Sequence, residues 1–272
     1  MTDWDAGLRS QLRARAEQWA AKTSLHFYKS LGKSPTILFE MTSDGSHHGN
    51  FFDSAWKAIK EDPGWRERLQ KAHSQRDALP EKYRASAAEL DSSNSSDALL
   101  MNCFCPPGAA TRIALALGLS STKSRPEFGY KPGLPLTNGE VDTTEIDMRL
   151  GQTLVEAKLT EHDFTNSHKS RLSRYVHLED CFDLALLPRT PGPDTFGGYQ
   201  LIRNVLAAAN DQARLVVLID CRRPDLLRQW WKVHGAIKSG ELRNRCEVHF
   251  WQEVAAACNP SHRQFLEDKY GL

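Results

Sequence analysis

Long apolar runs are absent from this sequence. No stretch approaches the roughly 18 uncharged apolar residues that a membrane-spanning helix needs, so no membrane segment is expected. The N-terminal stretch "MTDWDAGLRSQLRARAEQWAAK" is charged and shows helical periodicity, unlike the basic, apolar and small-residue regions of a secretory signal. A cytoplasmic location is therefore expected.

Cysteine is scarce, and neither sign of charge dominates. Six cysteines without a secretory signal predict reduced thiols. The lone pair Cys103 and Cys105 lacks the second pair that a structural zinc site would need. Lys and Arg number 35 against 34 Asp and Glu, a net charge of +1. Any phosphate-binding surface is therefore expected to be a local patch.

Repeats and low-complexity segments are also absent, and the composition is ordinary for a globular protein. The N-terminal part is dominated by helical patterns. From about Glu127, strand and helix patterns alternate, and the apolar run "RLVVLID" (214–220) predicts a buried central strand. We predict a mainly helical extension over residues 1–90 and an α/β core over residues 91–272, which is expected to be one compact unit.

The stretch "TTEIDMRLGQTLVEAKLTE" (143–161) predicts a β-hairpin. Gly151 and Gln152 suit a two-residue turn of type II′, which takes glycine at its first central position. This turn pairs Met148 with Val155, on a face that is apolar and expected to meet the core.

The other face of the hairpin is charged, because side chains alternate along a strand. The register places Asp147 opposite Glu156, and Glu145 opposite Lys158. Carboxylates opposed at roughly 4.5–5.5 Å between Cβ atoms repel each other, and Mg²⁺ would neutralise such a pair. Lys158 could then orient or deprotonate water, or stabilise charge on a phosphate. A surface ion pair between Glu145 and Lys158, beside two solvated acids, is the alternative.

The hairpin also carries a resemblance to a known family. "EIDM" and "LVEAKL" resemble the signature of the PD-(D/E)xK, or restriction endonuclease-like, nuclease superfamily. The resemblance implies that Asp147 and Glu156 bind Mg²⁺, for which Mn²⁺ can substitute. It also implies that Lys158 acts with them in phosphodiester cleavage.

The resemblance covers about half of the chain, from the nineties to about residue 220. "SSNSSDALLMNCFCP", "EFGYKP" and "GGYQLIRNVLAA" are similar to successive segments of a bacterial branch of that superfamily. Gln200 corresponds to a glutamine that helps to position the site in RecB-like nucleases, with an ordinary polar helix residue as the alternative. The chain departs from the branch at Glu145, which replaces a serine and would either add a metal ligand or pair with Lys158.

Basic side chains near these segments are candidates for phosphate contacts. Solvated positions are the alternative. The candidates for nucleic-acid binding are Lys169, Arg171 and Arg174 in "HKSRLSRYVH" (168–177), and Arg203 one turn after Gln200. A second candidate patch comprises Arg222, Arg223 and Arg228.

The sequence therefore predicts an α/β protein with a restriction endonuclease-like core, a central mixed β-sheet flanked by helices, and an N-terminal helical extension. Its predicted function is Mg²⁺-dependent hydrolysis of nucleic-acid phosphodiester bonds. DNA is the partner that the resemblance implies, and a homodimer is left open. A catalytically silent nuclease fold, serving as a nucleic-acid-binding or assembly module, is the alternative. A third is an α/β protein unrelated to nucleases.

Overall fold

The computed structural model describes residues 3–119 and 124–272. None of the helices in these two ranges combines the length and the apolar content needed to cross a lipid bilayer. The helices and strands occur in the order α1 (Trp4–Thr23), β1 (Phe27–Lys29), β2 (Ile37–Phe39), α2 (Asp53–Glu61), α3 (Pro63–Arg68), α4 (Ser96–Phe104), α5 (Ala109–Ala116), β3 (Glu127–Tyr130), β4 (Leu134–Pro135), β5 (Val141–Asp142), β6 (Ile146–Leu150), β7 (Thr153–Ala157), β8 (Asn166–His168), α6 (Lys169–Leu172), α7 (Leu178–Cys181), β9 (Thr195–Gly197), α8 (Tyr199–Asn210), β10 (Arg214–Ile219), α9 (Pro224–Gly235), α10 (Gly240–Asn244), β11 (Cys246–Phe250), α11 (Trp251–Ala256) and α12 (Pro260–Tyr270).

Contacts within the chain divide it into two units. Unit 1 comprises Met1–Pro126 and Trp251–Leu272, and unit 2 comprises Glu127–Phe250. The predicted division at residue 90 stays a prediction, since these contacts group the chain differently and place α11 and α12 in unit 1. Such grouping depends on which distant segments pack together, which local sequence patterns do not encode.

Unit 1 contains the predicted N-terminal helix, which the structure confirms as α1. Its apolar stripe packs against β2. Helix α1 also contacts α12, where Trp19 meets Phe265 edge to face with ring centroids 5.3 Å apart. Lys22 pairs with Asp268 at 2.6 Å on the same contact. Two helices from opposite ends of the chain therefore pack together in this unit.

The cysteines are free thiols throughout the chain. Cys103 lies within α4, and Cys105 directly follows that helix. Both are buried, and burial raises the pKa of each thiol well above its ordinary value. These two residues are therefore small apolar core groups with little thiolate character at neutral pH.

Unit 2 is organised by a mixed β-sheet. In the described residues it has five strands in the order β11-β10-β7-β6-β3. Strand β6 runs antiparallel to both of its neighbours, β3 and β7, whereas β10 runs parallel to β7 and β11. The predicted α/β fold, with a central mixed sheet and flanking helices, is confirmed.

The buried face of this sheet positions one helix over the hairpin. Leu154 of β7 and Val217 of β10 belong to the same apolar core as Val205 of α8 and Trp230 of α9. Side chains two residues apart on a strand share a face. Glu156 therefore points to the face on which α8 packs, rather than to solvent.

The hairpin β6–β7 has the predicted register. The paired residues are Met148 with Val155, Arg149 with Leu154, and Leu150 with Thr153. Gly151 in the turn has φ of 59°, a left-handed conformation that glycine adopts without steric cost. Turn geometry thus fixes which side chains of the two strands face each other.

We expect Gly151→Ala to destabilise the protein. An L-residue held in a left-handed conformation costs roughly 1–2 kcal/mol, and a slip in register would move every side chain of the strand to the wrong face. Urea denaturation of the wild type and the variant measures this change in the free energy of unfolding.

Gly235→Ala is the matched control. Gly235 ends α9, and a Cβ atom added there would meet nothing within 4 Å. This variant is expected to be neutral or stabilised by up to about 1 kcal/mol, because alanine restricts the unfolded chain. Equal unfolding midpoints for the two alanine variants would contradict the assigned turn.

Candidate active site

Strand β7 places Glu156 and Lys158 on one face of the sheet. Both are buried, with 2% and 6% of the residue exposed, and Lys158 Nζ lies 3.0 Å from Glu156 Oε1. The Lys158 backbone N–H donates to the Leu218 carbonyl at 2.8 Å, which extends the parallel pairing past the end of β7. The alternative of two solvated acids is therefore wrong for Glu156, because α8 covers its side of the sheet.

Asp147 reaches the same place from strand β6. Its Oδ2 accepts the backbone N–H of Ala157 at 2.8 Å. Ala157 lies between Glu156 and Lys158 in the sequence. The hydrogen bond therefore holds the Asp147 carboxylate against the backbone that links those two residues. The structure thus brings the two predicted acids and the lysine together from adjacent antiparallel strands.

The carboxylates around Lys158 determine its charge. Burial by itself would lower the pKa of Lys158, but Glu156, Glu161 and Asp147 all act on the ammonium and raise its pKa above the ordinary value of 10.5. Lys158 is therefore charged at neutral pH in this arrangement. A charged amine can orient water or stabilise a phosphate, whereas it cannot take a proton from water.

Helix α8 supplies a second partner for Glu156. Asn204 is fully buried, and its Nδ2 donates to Glu156 Oε2 at 2.7 Å. Each oxygen of this carboxylate therefore accepts a hydrogen bond from a protein side chain. Sequence reasoning missed Asn204. The available signal was its position four residues after Gln200, which places both side chains on one face of a helix.

Two other predicted residues of α8 lie inside the unit. Gln200 is half-buried, and its Oε1 has no hydrogen-bond partner among the described residues. Arg203 is 3% exposed, and its Nη2 donates to the Glu145 carbonyl oxygen at 2.7 Å. This burial argues against the predicted phosphate contact of Arg203. The role of Gln200 stays a prediction.

The basic residues after β8 are exposed, as a phosphate-binding surface requires. Lys169, Arg171 and Arg174 all face solvent. The Arg171 guanidinium lies 4.6 Å from the centre of the Tyr199 ring, and Arg174 pairs with Glu140 at 3.5 Å. Arg171 and Arg174 line a cleft of about 240 Å³. Their contact with nucleic acid stays a prediction.

The prediction that Arg223 belongs to a second phosphate-binding patch is wrong. Its side chain is fully buried and donates to the carbonyl oxygens of Leu159 and His162, both at 3.2 Å. It also pairs with Asp225 at 2.7 Å. Arg223 therefore holds the loop that follows Lys158. Its neighbours in the sequence, Arg222 and Pro224, gave no signal of this burial.

The donor atoms of the candidate site suit Mg²⁺. Mg²⁺ takes oxygen ligands, keeps several waters, and is commonly bound through one or two carboxylates. Asp147 and Glu156 supply such a pair, and no group of three His, Cys, Asp or Glu in the described ranges is arranged to hold a metal. Water and substrate oxygens would therefore complete the coordination. The Glu145 side chain is exposed, and its part as a third ligand stays a prediction.

Comparison with known proteins gives one family-level result. A family model described as "Restriction Endonuclease associating with ARP" matches residues 13–271. No curated protein and no solved structure matches the chain. The matched range includes the hairpin, α8 and nearly all of both units.

We expect Lys158→Met to destabilise the protein strongly at neutral pH. Removing one partner of a buried ion pair typically costs about 3–5 kcal/mol, because the other charge is left buried and unpaired. Adding Glu156→Gln to this variant should recover much of the loss, since the glutamine amide is neutral. Urea denaturation of both single variants and the double variant tests the pairing.

The stability difference between wild type and Lys158→Met should also shrink on the alkaline side of neutrality. Folding raises the pKa of Lys158, so its stabilisation is complete below the ordinary value of 10.5 and is lost as pH rises through the higher folded value. Melting temperatures of the two proteins, recorded at rising pH, measure the difference. If the stability difference between the two proteins were already lost as pH rises from neutrality to 10.5, Lys158 would not have a raised pKa in the folded protein.

Proposed function

Since the chain belongs to the family described as restriction endonuclease associating with ARP, we propose that unit 2 is a Mg²⁺-dependent nuclease that hydrolyses DNA phosphodiester bonds. Family membership supports the nuclease class. The metal ion and the substrate are our extension of it. The observation that carries the proposal is the convergence of Asp147, Glu156 and Lys158 at one point of the sheet.

Each of the three side chains has a role in this proposal. Asp147 and Glu156 would hold Mg²⁺, which when bound polarises a phosphoryl oxygen and lowers the pKa of a bound water. Lys158, already an ammonium, is placed to orient the attacking water and to stabilise negative charge that develops on the phosphate. The burial of Glu156 and Lys158 strengthens these effects, because the local dielectric is lower than in water.

Substrate contacts outside the carboxylate pair would come from the exposed basic residues after β8. The three basic side chains are positively charged, but their sequence shows no motif for base recognition. We therefore propose that Lys169, Arg171 and Arg174 contact phosphates independently of DNA sequence and that their affinity falls as salt concentration rises. The family description also names ARP as an associate, and we extend that association to this chain as a further part of the proposal.

A catalytically silent nuclease fold is the second candidate function. Both oxygens of Glu156 already accept hydrogen bonds, from Lys158 and Asn204. The carboxylate is thus stabilised by protein groups alone. A protein of this kind would bind DNA without cleaving it.

Asp147→Asn separates the two candidates. The wild type should be stabilised by Mn²⁺ through mass action on the folded state and should cleave DNA with Mg²⁺ or Mn²⁺. The variant should lose both properties. Its metal-free stability should change by no more than about 1 kcal/mol, because relief of the repulsion from Glu156 is offset by loss of the attraction to Lys158. Thermal melts with and without Mn²⁺, and gel assays of DNA cleavage, measure these effects.

Asp183→Asn is the matched control. Asp183 is exposed, and its carboxylate also accepts a backbone N–H, from Ala185 at 3.0 Å. This variant should keep the metal response and the cleavage of the wild type. If the wild type binds DNA without cleaving it, and its melting temperature does not change when Mn²⁺ is added, the silent fold is established instead. Cleavage that persists in excess chelator would also contradict the metal-dependent mechanism.

A further inference from the structure

The Glu156 carboxylate accepts a hydrogen bond from Asn204 of α8, a residue 48 positions further along the chain. We propose that Arg203 and Asn204 of α8 act as a positioning pair, which fixes the Glu156 carboxylate relative to Asp147 for binding of a divalent cation. This inference rests on the proposed function, in which Asp147 and Glu156 are the metal ligands. It adds two residues that themselves touch neither metal nor substrate.

The orientation of the Asn204 amide follows from its neighbours. Arg203 Nη2 donates to Asn204 Oδ1 at 3.0 Å, and a guanidinium can only donate hydrogen bonds. The amide oxygen must therefore face Arg203, which leaves the NH₂ group facing Glu156. Arg203 thus selects the one amide orientation in which Asn204 donates to the carboxylate.

The same guanidinium nitrogen reaches the residue that directly precedes β6, the strand that carries Asp147. Arg203 Nη2 also donates to the carbonyl oxygen of Glu145 at 2.7 Å, two residues before Asp147. A continuous path of hydrogen bonds therefore runs from the backbone at the start of β6, through Arg203 and Asn204, to the carboxylate on β7. Adjacent residues of α8 therefore hydrogen-bond to both segments that supply an acid, through Glu145 next to β6 and through Glu156 on β7.

Burial makes this path restrictive. Arg203 is 3% exposed and Asn204 is fully buried, so solvent cannot readily replace either partner. Without Asn204, only the bond from Lys158 to Oε1 would remain among the two that hold Glu156. The carboxylate could then turn about its own torsions. Outer partners that orient metal ligands typically contribute 10–100-fold to metal affinity or activity.

A purely structural role for Asn204 makes a different prediction. In that case Asn204 only satisfies a buried carboxylate, so its loss lowers the stability of the fold and leaves the metal affinity of folded molecules unchanged. A positioning role lowers the metal affinity of molecules that remain folded. It also lowers kcat while leaving KM for DNA unchanged, because the basic surface after β8 is untouched.

The test is calorimetric titration of the full chain with Mn²⁺ alone, in the wild type and in Asn204→Ala. We expect the dissociation constant for Mn²⁺ to rise by about 10–100-fold in the variant, at a temperature where circular dichroism shows it to be folded. In steady-state cleavage of DNA, kcat should fall and KM should not change. Asn210→Ala, at an exposed asparagine of the same helix, should behave as the wild type.

Arg203→Lys is the second variant, for the case in which Asn204→Ala does not fold. Lysine keeps the positive charge, but its side chain ends one bond short of the Nη2 position from which Arg203 reaches both the Asn204 and the Glu145 oxygens, so it cannot hold both in the same geometry. We expect weaker Mn²⁺ binding in the same direction. Unchanged Mn²⁺ affinity in a folded Asn204→Ala or Arg203→Lys protein would overturn the positioning pair while leaving the proposed function intact. A wild type that binds no Mn²⁺ would overturn the proposed function, and the positioning pair with it.

Discussion

The pairing of Glu156 with Lys158 inside the fold is the interaction on which the rest of this site depends. A carboxylate and an ammonium removed from water lose their hydration, so each must find protein partners. Their mutual contact at 3.0 Å meets part of that need. The remaining oxygen of Glu156 must then be satisfied from the element that covers it, which is helix α8.

The position of α8 follows from the apolar pattern of the parallel strands. Leu154, two residues before Glu156, points to the core that α8 closes. An acid on that face is therefore enclosed by the same packing that stabilises the sheet. Enclosure raises the strength of every electrostatic contact and makes an unpaired group costly. A hairpin with this charge pattern on an open sheet face would instead carry ordinary solvated acids.

The hairpin itself could be predicted from local chemistry. A glycine at the first turn position and the alternation of apolar and charged residues are enough to set the register and to place Asp147 beside Glu156. Both are properties of neighbouring residues, so they can be read along the chain. The burial of Arg203 and Arg223 could not be predicted in this way. Each is a charged residue, and each satisfies backbone carbonyls far from it in the chain.

Local sequence patterns were sufficient to predict the register of the hairpin and the three residue types that meet there. Each depends on the steric preferences and side-chain alternation of adjacent residues. The burial of Glu156, its pairing with Lys158 and its hydrogen bond from Asn204 could be seen only in the packed fold. Those facts depend on which helix covers which face of the sheet. Packing between distant segments determines that choice, because burial rather than local preference sets the partners that a charged group requires.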